Sequence, residues 1–447
     1  YLFEGGMHWL TGSSSKTSFY KLWCEVGALN DEVRIWNRDP FFIFEHDGHT
    51  VCLYRDIEKL QAHFLETAPE DGKEIRKFCR DIKKFMRVQM PVTDIKGVKT
   101  KNKANMSFSE GVRMLPALLR MGFYAKQTAG EYAGRFKNPV LRMLLQNITG
   151  PDSCATGLLF TIATLASGDG GYPEGGSLAM AARMAAYFKS LGGKLEFGKT
   201  VSKVIVEKGA ACGVIVNGEQ IPADDVIVTQ DARRAIDTLF DSPINEAWAV
   251  RMRQETVPML DTFICLGIEA DLSDLPESLL FTTKEPLVCG GIAETTVSFN
   301  NYATYQGYAP EGCTAVTSII GGDTYDFWKA CRENGTYEEE KKKLADAYIR
   351  ILTKRIPQIA GKIAVWNIAT PLTYERYLGS FKGSWMTVMK KGSANKGYPL
   401  KPERISHLYF AGHRMMPPGG LPVAVETGRK AVQYLCRDTD TVFQGNF

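Results

Sequence analysis

Along residues 169–240 the spacing of apolar side chains changes period, and each change marks an element. Leu178, Ala181, Ala182, Ala185 and Phe188 fall three and four residues apart, on one face of a helix. A helix over 178–191 follows, with Ser177 as its N-cap and Gly192-Gly193 ending it in the left-handed conformation that glycine adopts without strain. Period two then takes over. Residues 194–197 read as a short strand, and residues 200–207 as a β-branched strand that a Lys208-Gly209 turn separates from 212–216. Asn217-Gly218 is a hairpin signal, because a type I′ turn needs positive φ at both central positions. The product is a β-meander. Residues 226–229 are short, apolar and β-branched, as expected of a strand covered on both faces, and Asp231 is placed to cap a helix reaching Leu239.

The carboxyl end has a similar grammar. Residues 407–411 read as a buried strand ending at Gly412, and Pro417-Pro418-Gly419-Gly420-Leu421-Pro422 is a rigid turn that opens a helix over 421–435. A strand, a glycine loop and a helix N-terminus aim free backbone N–H groups at whatever sits above the strand, which suits a phosphate or an anionic ring. Gly428 inside that helix is expected to admit the close approach of another backbone.

Between these stretches lie two Met- and aromatic-rich blocks, 21–168 and 241–400. Residues 111–124 carry an apolar cluster flanked by Arg113 and Arg120, which suits either an interfacial segment or a core helix. Residues 338–343, three Glu followed by three Lys, read as an exposed helix face. Trp9, Trp23, Trp328, Trp385, Tyr302 and Tyr305 either line an apolar tunnel or fill an aromatic core. With 447 residues, 44% hydrophobic and 23% charged, the chain has room for two or three domains with sizeable cores. The net charge of +4 gives no electrostatic reason to expect nucleic acid. Ten cysteines occur singly, without C-x-x-C, so reduced thiols are expected and a structural zinc site is not. Ser13-Ser14-Ser15-Lys16-Thr17 lacks the glycines of a phosphate loop, and an NTPase is rejected.

Three blocks together, Phe3-Glu4-Gly5-Gly6-Met7-His8-Trp9-Leu10-Thr11-Gly12, Tyr172-Pro173-Glu174-Gly175-Gly176-Ser177 with its helix and meander, and Leu408-Tyr409-Phe410-Ala411-Gly412 followed by Gly419-Gly420-Leu421-Pro422, give a pattern that resembles the phytoene desaturase, carotenoid isomerase and retinol saturase family of FAD-dependent oxidoreductases. In that family an amino-terminal βαβ unit carries a G-x-G-x-x-G fingerprint. This sequence contains none, and the expectation is a chain that lacks its natural beginning. The resemblance implies an α/β fold: an FAD-binding, three-layer Rossmann-like domain with a β-meander, plus an α+β substrate domain. The FAD domain would be discontinuous, from 1–20, 169–240 and 401–447, with 21–168 and 241–400 forming the substrate domain.

The same resemblance places residues around FAD. Val201 would meet the adenine side through its backbone, and Gly412 and His413 would lie by the ribityl-phosphate. Gly420, Leu421 and Val423 would face the pyrimidine edge, while Gly5, Gly6 and His8 border the isoalloxazine, with His8 a candidate proton donor. Tyr172, Pro173, Gly175 and Gly176 would form the loop near flavin and substrate. No metal is expected. The implied activity is desaturation, saturation or redox-neutral isomerisation at C=C or C–C bonds of an apolar, polyene- or lipid-like molecule, in a cytoplasmic protein with membrane-surface contact as an option. Two alternatives stand beside it: a lipid-binding module on the same fold without FAD, and an amine oxidase.

Overall fold

The computed structural model describes residues 1–104, 108–388, 391 and 397–445. Its largest sheet has seven strands, in the order Ile363–Ala369, Asp261–Ile268, Thr314–Gly321, Ile292–Asn301, Ser278–Cys289, Phe42–His46, His49–Leu53. Neighbours run antiparallel except where Ser278–Cys289 meets Phe42–His46 in parallel. Tight turns set the antiparallel pairs: Gly290-Gly291 and Asp47-Gly48 each take positive φ at both positions and reverse the chain in two residues. Helices Tyr325–Glu333 and Tyr337–Arg355 cover one face over Ile264, Leu266, Phe281 and Phe299, the first of them inserting Trp328. The charged run 338–343 lies on the outer side of the second helix, where Lys343 pairs with Glu339 and Glu340. Part of the opposite face, at Phe44 and Leu280, joins a helical core built from Ile57–Thr67, Gly72–Phe85, Pro139–Thr149 and Ala155–Ser167.

The meander forms as Val201–Glu207, Ala210–Val216 and Glu219–Pro222, with Asn217 at φ +50° and Gly218 at +89°. Val226–Val228 lies parallel to Leu408–Phe410, and the carboxyl-terminal helix runs from Leu421 to Asp438. A small sheet joins Leu10–Thr11, Gly170–Pro173 and Ile35–Trp36, so the block 21–168 contributes a strand beside the glycine segments. The ten cysteines are free, and Cys79, Cys265 and Cys289 are buried in the cores.

Several expectations need correction. The helix after the glycines is Gly176–Ser190 with Gly175 at its N-cap, because Ser177 turns its hydroxyl to Glu4 instead of to its own backbone. Residues 194–197 form no strand; Phe197 is 78% exposed and nothing pairs with this stretch to support extended structure. A side chain at Gly428 would meet nothing within 4 Å, so no backbone approaches it. Trp23 and Trp328 belong to cores, their indole N–H groups donating to Thr11 O and Thr262 Oγ1, and line no tunnel. Helix Phe108–Tyr124 shares both of its readings: Met114, Ala117 and Tyr124 are buried while Val112, Leu115, Leu119 and Phe123 are exposed.

One buried ion pair ties the layers together. Asp231 caps helix Ala232–Thr238 through Oδ1, while its Oδ2 accepts from Arg414 Nη2 at 2.7 Å and Nε at 3.2 Å. The remaining Arg414 N–H groups reach Met386 O, Thr387 Oγ1 and Ser384 Oγ at 3.0, 2.6 and 2.7 Å. Burial alone would raise the Asp231 pKa; the Arg414 guanidinium and the Phe381 N–H more than offset that and hold it below the ordinary carboxylate value. Removing one member of such a pair strands a buried charge, and Arg414→Met is expected to lose about 3–5 kcal/mol, read as a lowered urea midpoint. An unchanged midpoint would show that the pair does not hold these segments together.

Candidate functional site

Glu4 organises the amino-terminal glycines. Its side chain is 3% exposed. Oε1 accepts from Ser177 Oγ at 2.6 Å and from the N–H groups of Met7 and Gly6 at 3.2 and 3.3 Å. Oε2 accepts from Tyr172 OH at 2.8 Å and Ser177 N–H at 2.9 Å, and Tyr172 OH also meets Tyr308 OH. A carboxylate at the start of Gly176–Ser190 complements the positive end of the helix dipole. Only glycine fits at 176: φ is +62°, and a Cβ would lie 2.2 Å from Tyr308 OH and 2.6 Å from Glu4 Oε2. Gly175, at φ +73°, turns the chain into the helix from Pro173, the end of the buried strand. Thus Tyr172, Pro173, Gly175 and Gly176 hold Glu4, and Glu4 fixes Gly5 and Gly6. These two are exposed, with nothing within 4 Å of where a side chain would begin.

His8 lies deep among protein atoms yet keeps part of its surface accessible. Burial and then the Arg38 cation lower its pKa, so it is neutral at pH 7. Arg38 Nε donates to Tyr305 OH at 2.8 Å and pairs with Glu277 at 3.0 Å. Tyr302 stacks on Tyr308 with ring centroids 4.9 Å apart. Tyr302 and Tyr305 therefore belong to a buried tyrosine cluster behind the Glu4 loop. Trp9 packs edge-on against Phe41, while Trp385 stays 37% exposed.

The second glycine turn is open at Gly420. Gly419 and Gly420 have φ of +106° and +94°, and a Cβ on Gly420 would meet only Pro422 Cδ at 3.8 Å and Met386 Cε at 4.0 Å. Among the described residues no side chain caps the helix that starts at Leu421, which leaves the Leu421 and Val423 N–H groups without an intrahelical partner, Pro422 having none to offer. Leu421 is exposed, Val423 is buried, and Val425 packs into the cluster that contains Met7, Tyr172 and Met180. Gly175-Gly176 and Gly419-Gly420 thus open helices that share one core. Gly412, at φ +120°, donates its N–H to Thr427 Oγ1 at 2.9 Å. His413 Nδ1 is buried without a hydrogen-bond partner among the described residues, 2.9 Å from where a Gly419 side chain would begin. Burial, then the Arg414 charge, push its pKa down to about 4.

A flavin fits this arrangement. Its flat ring needs a floor without side chains, which Gly5-Gly6 and Gly420 would supply, and donors for its edge, which the start of the helix at Leu421 would supply. His413 offers an orphan nitrogen beside the same turn. Val201 sits apart, 37% exposed at the end of its strand opposite Val216. Among the described residues no group of three metal-ligating side chains forms. Sequence reasoning passed over Glu4 as a ligand of Ser177, and over Arg414 and Arg38. One signal was available for Arg414: Asp231 and Arg414 each follow the carboxyl end of a buried strand by a few residues, and parallel neighbours bring such loops to one edge.

Two outcomes follow from these contacts. Glu4→Gln replaces one acceptor oxygen by a donor facing donors, and is expected to cost about 1–3 kcal/mol together with flavin retention; a variant with wild-type thermal midpoint and flavin content would remove Glu4 from this role. The unfolded chain protonates a histidine near pH 6.5, whereas folded His413 does so only near 4. Its contribution is therefore complete above about 6.5 and is lost as pH falls toward 4. Thermal midpoints from pH 7 to 4 should fall more steeply in the wild type than in His413→Gln; parallel curves would refute this.

Residues 1–436 match the family described as flavin containing amine oxidoreductase. Prolycopene isomerase 2 of an Oncidium hybrid cultivar is 22% identical over 450 residues, 96% of this chain and 74% of that protein. The 4,4'-diapolycopene oxygenase of a Methylomonas species is 24% identical over 279 residues, 58% of this chain and 53% of that protein, so the match spans about half of the relative's length. Wild-type putrescine oxidase bound to putrescine aligns with a TM-score of 0.58 at 12% identity, covering 98% of this chain and 87% of that one, a likeness of fold. With the match running over nearly its full length, the chain belongs to the flavin-containing amine oxidoreductase family and is an FAD-dependent oxidoreductase.

Proposed function

We propose that this oxidoreductase acts on carbon–carbon bonds of an apolar, polyene- or lipid-like substrate, by desaturation, saturation or redox-neutral isomerisation. The observation that carries the reading is the open space over the backbone at Gly5, Gly6 and Gly420, beside two glycine-started helices, Gly176–Ser190 and Leu421–Asp438, that share a core. Bound FAD supplies hydride-transfer chemistry. The chain's own residues do the rest. Gly5-Gly6 and Gly420 would let the ring approach the backbone, and the N–H groups at the start of the helix at Leu421 would hold its polar edge. Neutral His8 can hold or deliver a proton at its ring nitrogen. Phe263 and Ile319, on the face of the large sheet turned away from its helices, help exclude water.

Relatives named for carotenoid reactions support an apolar substrate. The structural neighbours named for amine oxidation share the fold at 12–14% identity, which leaves the amine reading without separate support. No described helix is long and apolar enough to cross a membrane. The exposed apolar side chains of Phe108–Tyr124, with Arg80 and Lys83 on the neighbouring helix Gly72–Phe85 and Arg87 just past its end, suit contact with an anionic bilayer from which such a substrate would be drawn. The domain division and the Val201 contact expected from sequence belong to the same proposal.

The test is a reconstitution. The purified chain, loaded with FAD, is incubated anaerobically with a polyene hydrocarbon in anionic vesicles and, separately, with a diamine, and the products are separated by chromatography. New double-bond number or geometry in the polyene, with lower turnover for Leu119→Glu, is the expected result. Turnover of the diamine alone, or vesicle binding without flavin retention, would replace the proposal by one of its alternatives.

A further inference from the structure

Strand Asp261–Ile268 sends alternate side chains to opposite faces of the large sheet. Thr262, Ile264, Leu266 and Ile268 face the helices, since Thr262 Oγ1 accepts from Trp328 Nε1 and the other three belong to that core. Asp261, Phe263, Cys265 and Gly267 therefore face the other way, toward the amino-terminal segment. A Cβ on Gly267 would lie 2.7 Å from the Tyr1 ring, and Leu2 N–H donates to Tyr308 O, which places the Glu4 loop on this side.

Asp261 stands at the flavin end of that face. Met259, two residues or roughly 7 Å of extended chain before it, pairs with Met386, whose Cε borders Gly420. Gly321 opposes Asp261 in the sheet and has nothing within 4 Å of where a side chain would begin, so the carboxyl adjoins open space. Asp261 is 7% exposed, yet its Oδ1 has no hydrogen-bond partner among the described residues. Burial alone pushes its pKa up, to about 7, so at pH 6 it carries a proton. A buried polar group left without a partner costs about 1–3 kcal/mol. The phenol of Tyr374, on helix Pro371–Leu378, lies within electrostatic reach of this carboxyl but is not hydrogen-bonded to its Oδ1, which leaves the open side by Gly321 as the place from which a partner would come.

We infer that Asp261 is the polar anchor of the substrate cavity, and that the substrate carries a hydroxyl or carbonyl oxygen on its apolar chain to accept a hydrogen bond from this carboxyl. The inference rests on the proposed function and narrows its substrate class from hydrocarbon to oxygenated chain. A neutral donor and a neutral acceptor avoid the cost of burying two charges among Phe263, Met259 and Met386, a cost that an ammonium bound to an Asp261 carboxylate would incur.

The test uses the FAD-loaded enzyme at pH 6, with flavin absorbance recording occupancy and tryptophan quenching recording ligand binding. Failure to hold FAD would thus sink the proposed function and remain distinct from failure of this inference. Three ligands of one chain length are titrated: a polyene hydrocarbon, its terminal alcohol and its terminal amine. The wild type is expected to bind the alcohol about 10-fold more tightly than the hydrocarbon, the strength of one hydrogen bond in a dry site. Asp261→Leu should abolish that preference without weakening hydrocarbon binding, and Asp261→Asn, which keeps an N–H donor, should retain most of it. Equal affinities in the wild type would mean that water alone meets Asp261. That result, a preference surviving in Asp261→Leu, or tighter binding of the amine would each overturn the inference.

Discussion

The guanidinium of Arg414 has five N–H donors, and every one of them is engaged within the protein. The rest of the site follows from that saturation. Asp231 fixes the loop after one parallel strand, Arg414 belongs to the loop after its neighbour, and Ser384, Met386 and Thr387 come from a segment that the large sheet carries through the Met259 pairing. Three pieces of chain that are far apart in sequence meet on one planar cation. A Lys here would offer a single point charge with three donors and could not reach all of these acceptors from one position.

Glu4 does the corresponding work at the other glycine turn. Its five acceptor contacts leave Gly5 and Gly6 with defined backbone positions and no side chains to fill the space above them. The two hubs share a logic. In each, a buried charge is fully met by hydrogen bonds, sits at a helix start or strand end, and lends its rigidity to adjacent glycines that would otherwise be the most mobile residues of the chain.

The order of helix, meander, buried strand and capped helix over 169–240 was legible because each of those elements is specified by neighbours in sequence: Gly192 at the helix end, Asn217-Gly218 at the turn, Asp231 at the cap. The large sheet was not. Phe42–His46 pairs with Ser278–Cys289, more than two hundred residues away, and no local pattern announces such a partner. At the site, the glycines could be read from their spacing, whereas Glu4 and Arg414 look like ordinary surface charges until the fold surrounds them. Ser177 does not cap its helix for the same reason: the acceptor at the helix start is a carboxylate 173 residues earlier in the chain, which takes both the Ser177 N–H and its O–H.

The buried cysteines have a kinetic side. Burial pushes Cys79 and Cys265 up to about 12 and Cys289 up to about 11, and only a thiolate attacks an electrophile. With one thiol in the helical core, one on the inner face of the large sheet and one under its helices, alkylation of each measures how often its own layer breathes open, so the molecule carries three internal clocks for its local unfolding.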